Sequence, residues 1–452
     1  MRKAGSATGT TDAANASGSS DSERLVNVVS SANLPNPLDA VGRAARQAAY
    51  LMAGCSTRRK NDLLYKLADL FQERSFAILE ANAKDLEAGR KNGLSQAALD
   101  MLFLNEARLL GIAENVRQVA LARDPVGEIL EGRQLDNGIM LTRARVPLGV
   151  LAAVYVAGPD ITADLAALGL KSGNAVILRG GPEMAHTNAA MTAVIREALK
   201  AESFPADAVQ TITDPDETLL AALLRLDRHV DLLIQRGGGA ALRDLCREQS
   251  RIPVITGIVG RCHIFVDATA RELESLEVIA NAKIQRPTSC NAVETVLVHR
   301  KIAAEFLPRL AAHLGGYGVT LHCSPEAMAH LTGRQNCLPV FKGDYDREWL
   351  GPDLNLHVVS GLEEAMSHIR EHGSGHSEAI LTETGENAEH FAREVDAAAV
   401  YVNCSTRFTD GGQFGLGGEA SINTGKLHAR GPMGLEALTT YKWVGVGNYT
   451  TR

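Results

Sequence analysis

The chain has 452 residues, 45% hydrophobic and 22% charged, the balance of an ordinary globular protein. At roughly 100–200 residues per domain this makes two or three domains, each able to build a core without disulfide or metal staples. Lys and Arg total 46 against 53 Asp and Glu, a net charge of −7, which excludes a general nucleic-acid binder but not a local basic pocket for a small anion.

The first element in chain order, residues 1–36, is rich in Gly, Ala, Ser, Thr and Asn and is expected to be a disordered tail. A transit peptide is the rival reading, but Arg2, Lys3 and Arg24 are offset by Asp12, Asp21 and Glu23. The tail lacks the apolar stretch of a secretory signal, and no apolar run approaches the ~18 residues of a spanning helix. Leu63, Leu67, Leu70 and Phe71 then fall at helical spacing behind a Ser56 or Thr57 cap, and the pattern runs through Ile78 to a break at Gly89 and Gly93. A second helix is expected from Asn105 to Ala122, ended by Asp124-Pro125. Asp136-Asn137-Gly138 between apolar flanks marks a hairpin over residues 127–147, either an oligomerisation arm or a simple edge hairpin.

From Gly149 onward apolar strands alternate with helices, the pattern of parallel βαβ units. Strands are expected at 150–156, 175–178, 209–212 and 232–234, with helices at 163–171, 189–200, 217–226 and 240–247. Asp214-Pro215-Asp216-Glu217 reads as a helix N-terminus, with its acids at the favourable end of the dipole. A second α/β series begins near Val254 and runs past Val400, and residues 438–446 look like a last strand.

G-x-G-x-x-G does not occur, yet a ligand is expected at the carboxyl ends of the strands. Arg179-Gly180-Gly181 and Arg236-Gly237-Gly238-Gly239 stand there, and glycines let main-chain N–H groups approach a phosphate at a helix N-terminus. Tight turns without a ligand would read the same way.

The seven cysteines, at 55, 246, 262, 290, 323, 337 and 404, are odd in number and contain no C-x-x-C, which reads as a reducing cytosol. Cys290, in a polar turn near Lys283 and Arg286, is the candidate thiolate nucleophile; the alternative is an inert buried thiol. His368, His372 and His376 are spaced for a metal, but Gly373 and Gly375 break the helix, so a polar loop contacting an anion is expected instead. Lys426, His428 and Arg430 alternate, which puts them on one side of an extended segment, fit for a phosphate or carboxylate or for a solvated face.

Residues 285–291, 403–417 (NCSTRFTDGGQFGLG) and 426–443 (KLHARGPMGLEALTTYKW) resemble the γ-glutamyl phosphate reductase family, the glutamate-5-semialdehyde dehydrogenases of the aldehyde dehydrogenase superfamily. The resemblance runs from about residue 38 to the end. It implies an α/β, aldehyde dehydrogenase-like fold: two Rossmann-like domains plus a small β oligomerisation element. An NADP-binding domain would comprise 37–123 and 147–258, a catalytic domain 259–430, and the oligomerisation element 124–146 with 431–452.

The implied reaction is NADPH-dependent reduction of L-glutamyl 5-phosphate through a thioester on Cys290, in the cytoplasm, by a homo-oligomer without metal. Glutamate 5-kinase would be a transient partner; membrane and nucleic acid are not expected. Asn291 and the residue at 160 would flank the oxyanion. Arg179, Gly181, Pro182, Glu183, Arg236, Gly237 and Gly238 would hold NADP(H), and Ser405, Arg407, His428 and Arg430 the substrate.

Oxidising members of the superfamily carry a Glu before the cysteine, whereas residues 255–260 contain no acid, which suits a reductase. Several positions depart from the family pattern. Asp160 stands where Asn is expected, Gly158 replaces an arginine, Val156 a glutamate, Gln235 a proline, and Pro182 a Lys or Ser. An ionised Asp accepts but cannot donate, and losing one oxyanion donor costs ~10²–10³ in rate. The alternative reading is therefore a weakened relative that keeps the fold and binds a ligand or partner.

Overall fold

The computed structural model describes residues 36–156, 158–257 and 259–452. The expected tail lies, apart from Asn36, outside the described residues.

Five helices come first: α1 (Asp39–Ala53), α2 (Thr57–Glu73), α3 (Ser75–Lys91), α4 (Gln96–Leu102) and α5 (Glu106–Leu121). Ser56 caps α2 by accepting the Arg59 N–H, and Asn105 caps α5 by accepting the Arg108 N–H at 2.8 Å. Leu63, Leu67, Leu70 and Phe71 are buried as their spacing predicts. Gly89 does not break its helix; it lies within α3, where an added Cβ would come 2.9 Å from Leu94 Cδ1. The stop is Gly93, whose φ of 76° favours a residue without a side chain.

The hairpin forms as β1 (Ile129–Gln134) and β2 (Met140–Pro147), antiparallel about Gly138 at φ 86°. Behind it a parallel sheet is built from β3 (Val150–Tyr155), β4 (Ala175–Gly180), β5 (Val209–Thr211), β6 (Leu232–Arg236) and β7 (Val254–Thr256), in the order β5-β4-β3-β6-β7. Helices α6 (Pro159–Lys171), α7 (Ala185–Ala201), α8 (Glu217–Leu223) and α9 (Gly239–Gln249) connect these strands. All six residues of β3 are buried, as expected for a central strand covered on both faces.

A second parallel sheet holds seven strands: β8 (Cys262–Val266), β9 (Val293–His299), β10 (Thr320–Cys323), β11 (Cys337–Pro339), β12 (Asp353–Val359), β13 (Ser377–Leu381) and β14 (Ala399–Val402). Their order is β11-β10-β12-β9-β8-β13-β14. Helix α10 (Glu272–Ile284) leads into β9, and α11 (Arg300–Gly315), α12 (Pro325–Ala329), α13 (Leu362–His372) and α14 (Gly385–Glu394) follow. After a short pair, β15 (Ile422–Asn423) and β16 (Gly431–Pro432), the chain ends in β17 (Thr439–Val446), which pairs with β2.

Each parallel sheet has its own core. Ala420, Met433, Leu435 and Leu438 return to the core of the first, so the chain leaves that domain after β7 and rejoins it near its end. No helix among the described residues is long and apolar enough to cross a membrane. All seven cysteines are free.

A buried ion pair joins α2 to the segment that enters the hairpin. Lys60 Nζ lies 2.6 Å from Asp124 Oδ2, and Thr57 Oγ1 donates to the same oxygen at 2.8 Å. Removing one partner of a buried pair strands the other charge. Lys60→Met is expected to lower unfolding free energy by about 3–5 kcal/mol, read from urea denaturation.

Candidate active site

The first sheet reverses its strand order between β3 and β6, which opens a crevice at their carboxyl ends. Two turns face each other there. One is Gly158-Pro159-Asp160 at the start of α6; the other is Gly237–Gly239 at the start of α9. The three glycines have φ of 73°, 78° and 68°, a run that side chains would strain. A Cβ on Gly238 would come 2.5 Å from Leu242 Cδ2 and 3.1 Å from Val156 Cγ2, whereas one on Gly239 would meet nothing within 4 Å. No side chain caps α9, so its first N–H groups are left for another acceptor. A bare, open helix N-terminus at a switch point fits the pyrophosphate of a dinucleotide.

Cys290 sits at the amino end of β9, not at a carboxyl end. It occupies a turn in which the Ala292 N–H donates to Ser289 O at 2.9 Å. The chain crosses between the sheets at Gly260, where a Cβ would come 1.6 Å from the Cys290 carbonyl oxygen. Cys262 Sγ donates to the same oxygen at 3.3 Å. The amino edge of the second sheet is thereby brought against the carboxyl edge of the first.

The segment 405–419 closes the site. Arg407 Nη1 donates to Ser289 Oγ at 2.9 Å and Nε to Gln285 Oε1 at 3.1 Å. Arg236 Nη1 donates to the Glu419 carbonyl at 3.1 Å, and the Gly411 N–H to Glu419 Oε2 at 2.9 Å. Glu348 arrives from a third direction and accepts the Gly260 N–H at 2.7 Å.

Burial pushes the Cys290 thiol up to about 12; Glu419 and Glu348 add to this, and Arg236 and Arg407 oppose it. Asp164, one turn after Asp160 in α6, is pushed up to about 7 by desolvation; Arg236 opposes this, while Asp160, Glu419 and Asp410 add to it. Asp164 and Glu419 thus both lie within electrostatic reach of Arg236. Glu419, Glu348, Asp164 and Asp410 escaped the sequence reading, since nothing in their spacing marks them; Glu419 lies just two residues past the Gly-rich motif. The acid-free stretch 255–260 is accurate as sequence, but the fold supplies Glu348 to Gly260 from elsewhere.

Other expected site residues are held otherwise. The cations acting on Cys290 are Arg236 and Arg407, because Lys283 is buried against Glu294 at 3.0 Å. Asn291 is buried and donates through Nδ2 to the Thr409 carbonyl at 2.9 Å and that of Arg407 at 3.4 Å, so its amide steadies segment 405–419. Ser405 caps the short turn that carries Arg407.

Arg179 belongs to β4, paired with Val154, and donates to the carbonyls of Asp214 and Asp216. Gly180 is required for packing, since its Cβ would lie 2.0 Å from Asn188 Nδ2. His428 has φ 72° and bonds the Ala437 carbonyl, so it leaves the side shared by Lys426 and Arg430, both paired with Asp396. His428 and Arg430 line an open groove with Arg145, Glu436 and Tyr441.

The three spaced histidines separate. His368 and His372 pack with Tyr345, and His357 stacks on His368, whereas His376 lies buried beside Ser377 and Cys262. Desolvation lowers His368 to about 2 and His376 to about 4, so both are neutral near pH 7 and neither meets an anion as a cation.

The model of the aldehyde dehydrogenase family matches residues 21–322 and 344–444. The chain belongs to this family. It is 56% identical over 416 residues to a γ-glutamyl phosphate reductase of Escherichia coli O17:K52:H18, covering 92% of this chain and 100% of that one. A crystal structure of γ-glutamyl phosphate reductase from Thermotoga maritima, 41% identical, superposes with a TM-score of 0.88 over 92% of this chain and 99% of that one. The fold extends to an engineered glycolyl-CoA reductase with bound NADP⁺, 16% identical with a TM-score of 0.65, covering 90% of this chain and 96% of that one. These matches bear out the α/β aldehyde dehydrogenase-like fold, with its two parallel sheets and small antiparallel sheet.

Two measurements probe the electrostatics. Iodoacetamide alkylation of Cys290 in the free protein is expected to be slow at pH 7 and to rise ~tenfold per pH unit up to about pH 10, followed by peptide mass. Asp164 is raised in the folded state, so the fold binds more protons than the unfolded chain between about pH 4 and 7, and its contribution to stability is lost as pH rises through that window. Asp164→Asn is expected to flatten the fall of Tm over that range.

Proposed function

We propose that the protein reduces L-glutamyl 5-phosphate to L-glutamate 5-semialdehyde and phosphate, the second step of proline biosynthesis, through a thioester on Cys290. The observation that carries this reading is the apposition of Cys290 to Gly260, in the segment that follows β7, with Arg236 at the end of β6 and Arg407 both acting on the thiol. Similarity to γ-glutamyl phosphate reductases over nine-tenths of the chain supports the substrate.

A thiol held near 12 needs a base to react at neutral pH. Glu419 has the largest electrostatic effect on it among the charged groups, and burial raises its own carboxyl. In this reading Glu419 takes the Cys290 proton. The sulfur then bonds the acyl carbon, the carbon–oxygen bond to phosphate breaks, and phosphate departs past Arg236 and Arg407. The main-chain N–H of Cys290 faces the oxyanion.

A nicotinamide dinucleotide on the α9 N-terminus supplies the hydride when bound. After hydride addition to the thioester carbon, the carbon–sulfur bond breaks, the aldehyde leaves, and Glu419 returns its proton to the sulfur. Copies of the chain pair through the sheet β1-β2-β17, where β17 is exposed along seven of its eight residues. An acyl phosphate hydrolyses readily, which favours transient delivery by glutamate 5-kinase. The cytoplasm suits seven free thiols.

The test is the reverse reaction, phosphate-dependent reduction of a nicotinamide cofactor by glutamate semialdehyde. Wild type is expected to turn over, and Cys290→Ser to show none. Glu419→Gln is expected to lose about 10²–10⁴-fold in kcat at neutral pH, with the loss shrinking as pH rises. Asp160→Asn is expected to raise kcat by roughly tenfold or more, by removing an acceptor-only charge from the oxyanion side. A folded wild type without turnover would overturn the enzymatic reading and leave the weakened relative.

A further inference from the structure

We infer that the adenosine end of the cofactor crevice takes a dinucleotide without a 2′-phosphate, so that the protein uses NADH in preference to NADPH. The inference rests on the nicotinamide-dependent reading above. In a doubly wound sheet the strand beside the central one presents the groups that meet the adenosine ribose. A carboxylate there accepts from the ribose hydroxyls, whereas a 2′-phosphate needs an Arg or Lys.

Here that strand is β4, the neighbour of β3 on the side away from β6. It is followed by Gly181, Pro182 and Glu183. The Glu183 carboxylate folds back over Gly181, where an added Cβ would come 2.1 and 2.3 Å from its two oxygens. Pro182 is exposed and offers neither a charge nor an N–H.

The next loop sharpens the asymmetry. Residues 212–217, after β5, carry Asp214, Asp216 and Glu217, all within electrostatic reach of Arg179. Arg179 could serve a phosphate only by turning out. Instead it is 8% exposed, and its two terminal nitrogens donate to the carbonyls of Asp214 at 2.9 Å and Asp216 at 3.1 Å. Asp216 caps α8 by accepting the Thr218 N–H at 2.8 Å, which holds its carboxyl below the ordinary range and keeps it charged at neutral pH.

The two loops, 179–186 and 212–217, thus contain Arg179 and His186 against the carboxylates of Glu183, Asp214, Asp216 and Glu217. A ribose diol finds acceptors in such a place. A dianionic 2′-phosphate meets like charge, and the one arginine is already committed to the main chain.

The experiment is calorimetric titration of the full chain with ADP-ribose and with 2′-phospho-ADP-ribose, which reports binding without turnover. ADP-ribose is expected to bind at least about tenfold more tightly, with the difference narrowing at high salt as the charges are screened. Pro182→Lys combined with Glu217→Lys is expected to shift the preference toward 2′-phospho-ADP-ribose, raising its affinity relative to ADP-ribose by about tenfold. In the reductive assay, KM is expected to be lower for NADH than for NADPH.

Equal or tighter binding of the phosphorylated probe by the wild type would overturn the inference and leave the nicotinamide reading intact. Binding of neither probe would overturn that reading, and the inference with it.

Discussion

A side chain at residue 260 would occupy the space of the Cys290 carbonyl oxygen. The missing Cβ of Gly260 is what lets the chain cross from one sheet to the other in contact with the turn that carries Cys290. Everything proposed about chemistry depends on that approach. It sets the turn before β9 beside the segment that leaves the first sheet, with Arg236 at the carboxyl end of β6 within electrostatic reach of the thiol. The approach is held from both sides: Glu348 accepts the Gly260 N–H, and Arg236 reaches across to the Glu419 carbonyl.

The same closeness fixes the electrostatics. Burial and two glutamates keep the thiol protonated in the free protein, while Arg236 and Arg407 are the cations able to favour its ionised form. A resting cysteine of this kind is a poor target for stray electrophiles, because only the thiolate reacts. In the proposed reaction Glu419 takes the thiol proton once the acyl phosphate is bound, and the two arginines steady the thiolate that results. Asp160 works against this order, since it adds charge beside Asp164 and Arg236 without offering a donor. The negative balance extends to the far end of the crevice, where Arg179 is tied to its own loop.

Local signals were readable wherever a single segment decided the outcome. The caps at Ser56 and Asn105, the Asn-Gly hairpin and the alternation of β3 through β7 all follow from neighbours in sequence. Glycine marks both helix ends and tight helix packing, and only the position of Leu94 places Gly89 in the second group. His428 broke the expected alternation because one positive φ reverses the direction of a side chain. Lys283 lies seven residues from Cys290, yet it faces the core and pairs with Glu294.

By itself the sequence determined the class of fold and the glycine turns and singled out Cys290 as the candidate nucleophile, because periodicity and short motifs are local properties of a chain. The tertiary structure alone decided which charges surround the sulfur. Glu419, Glu348 and Arg236 come from three separate segments, and a Coulomb interaction depends on distance through space, which residue numbers do not encode.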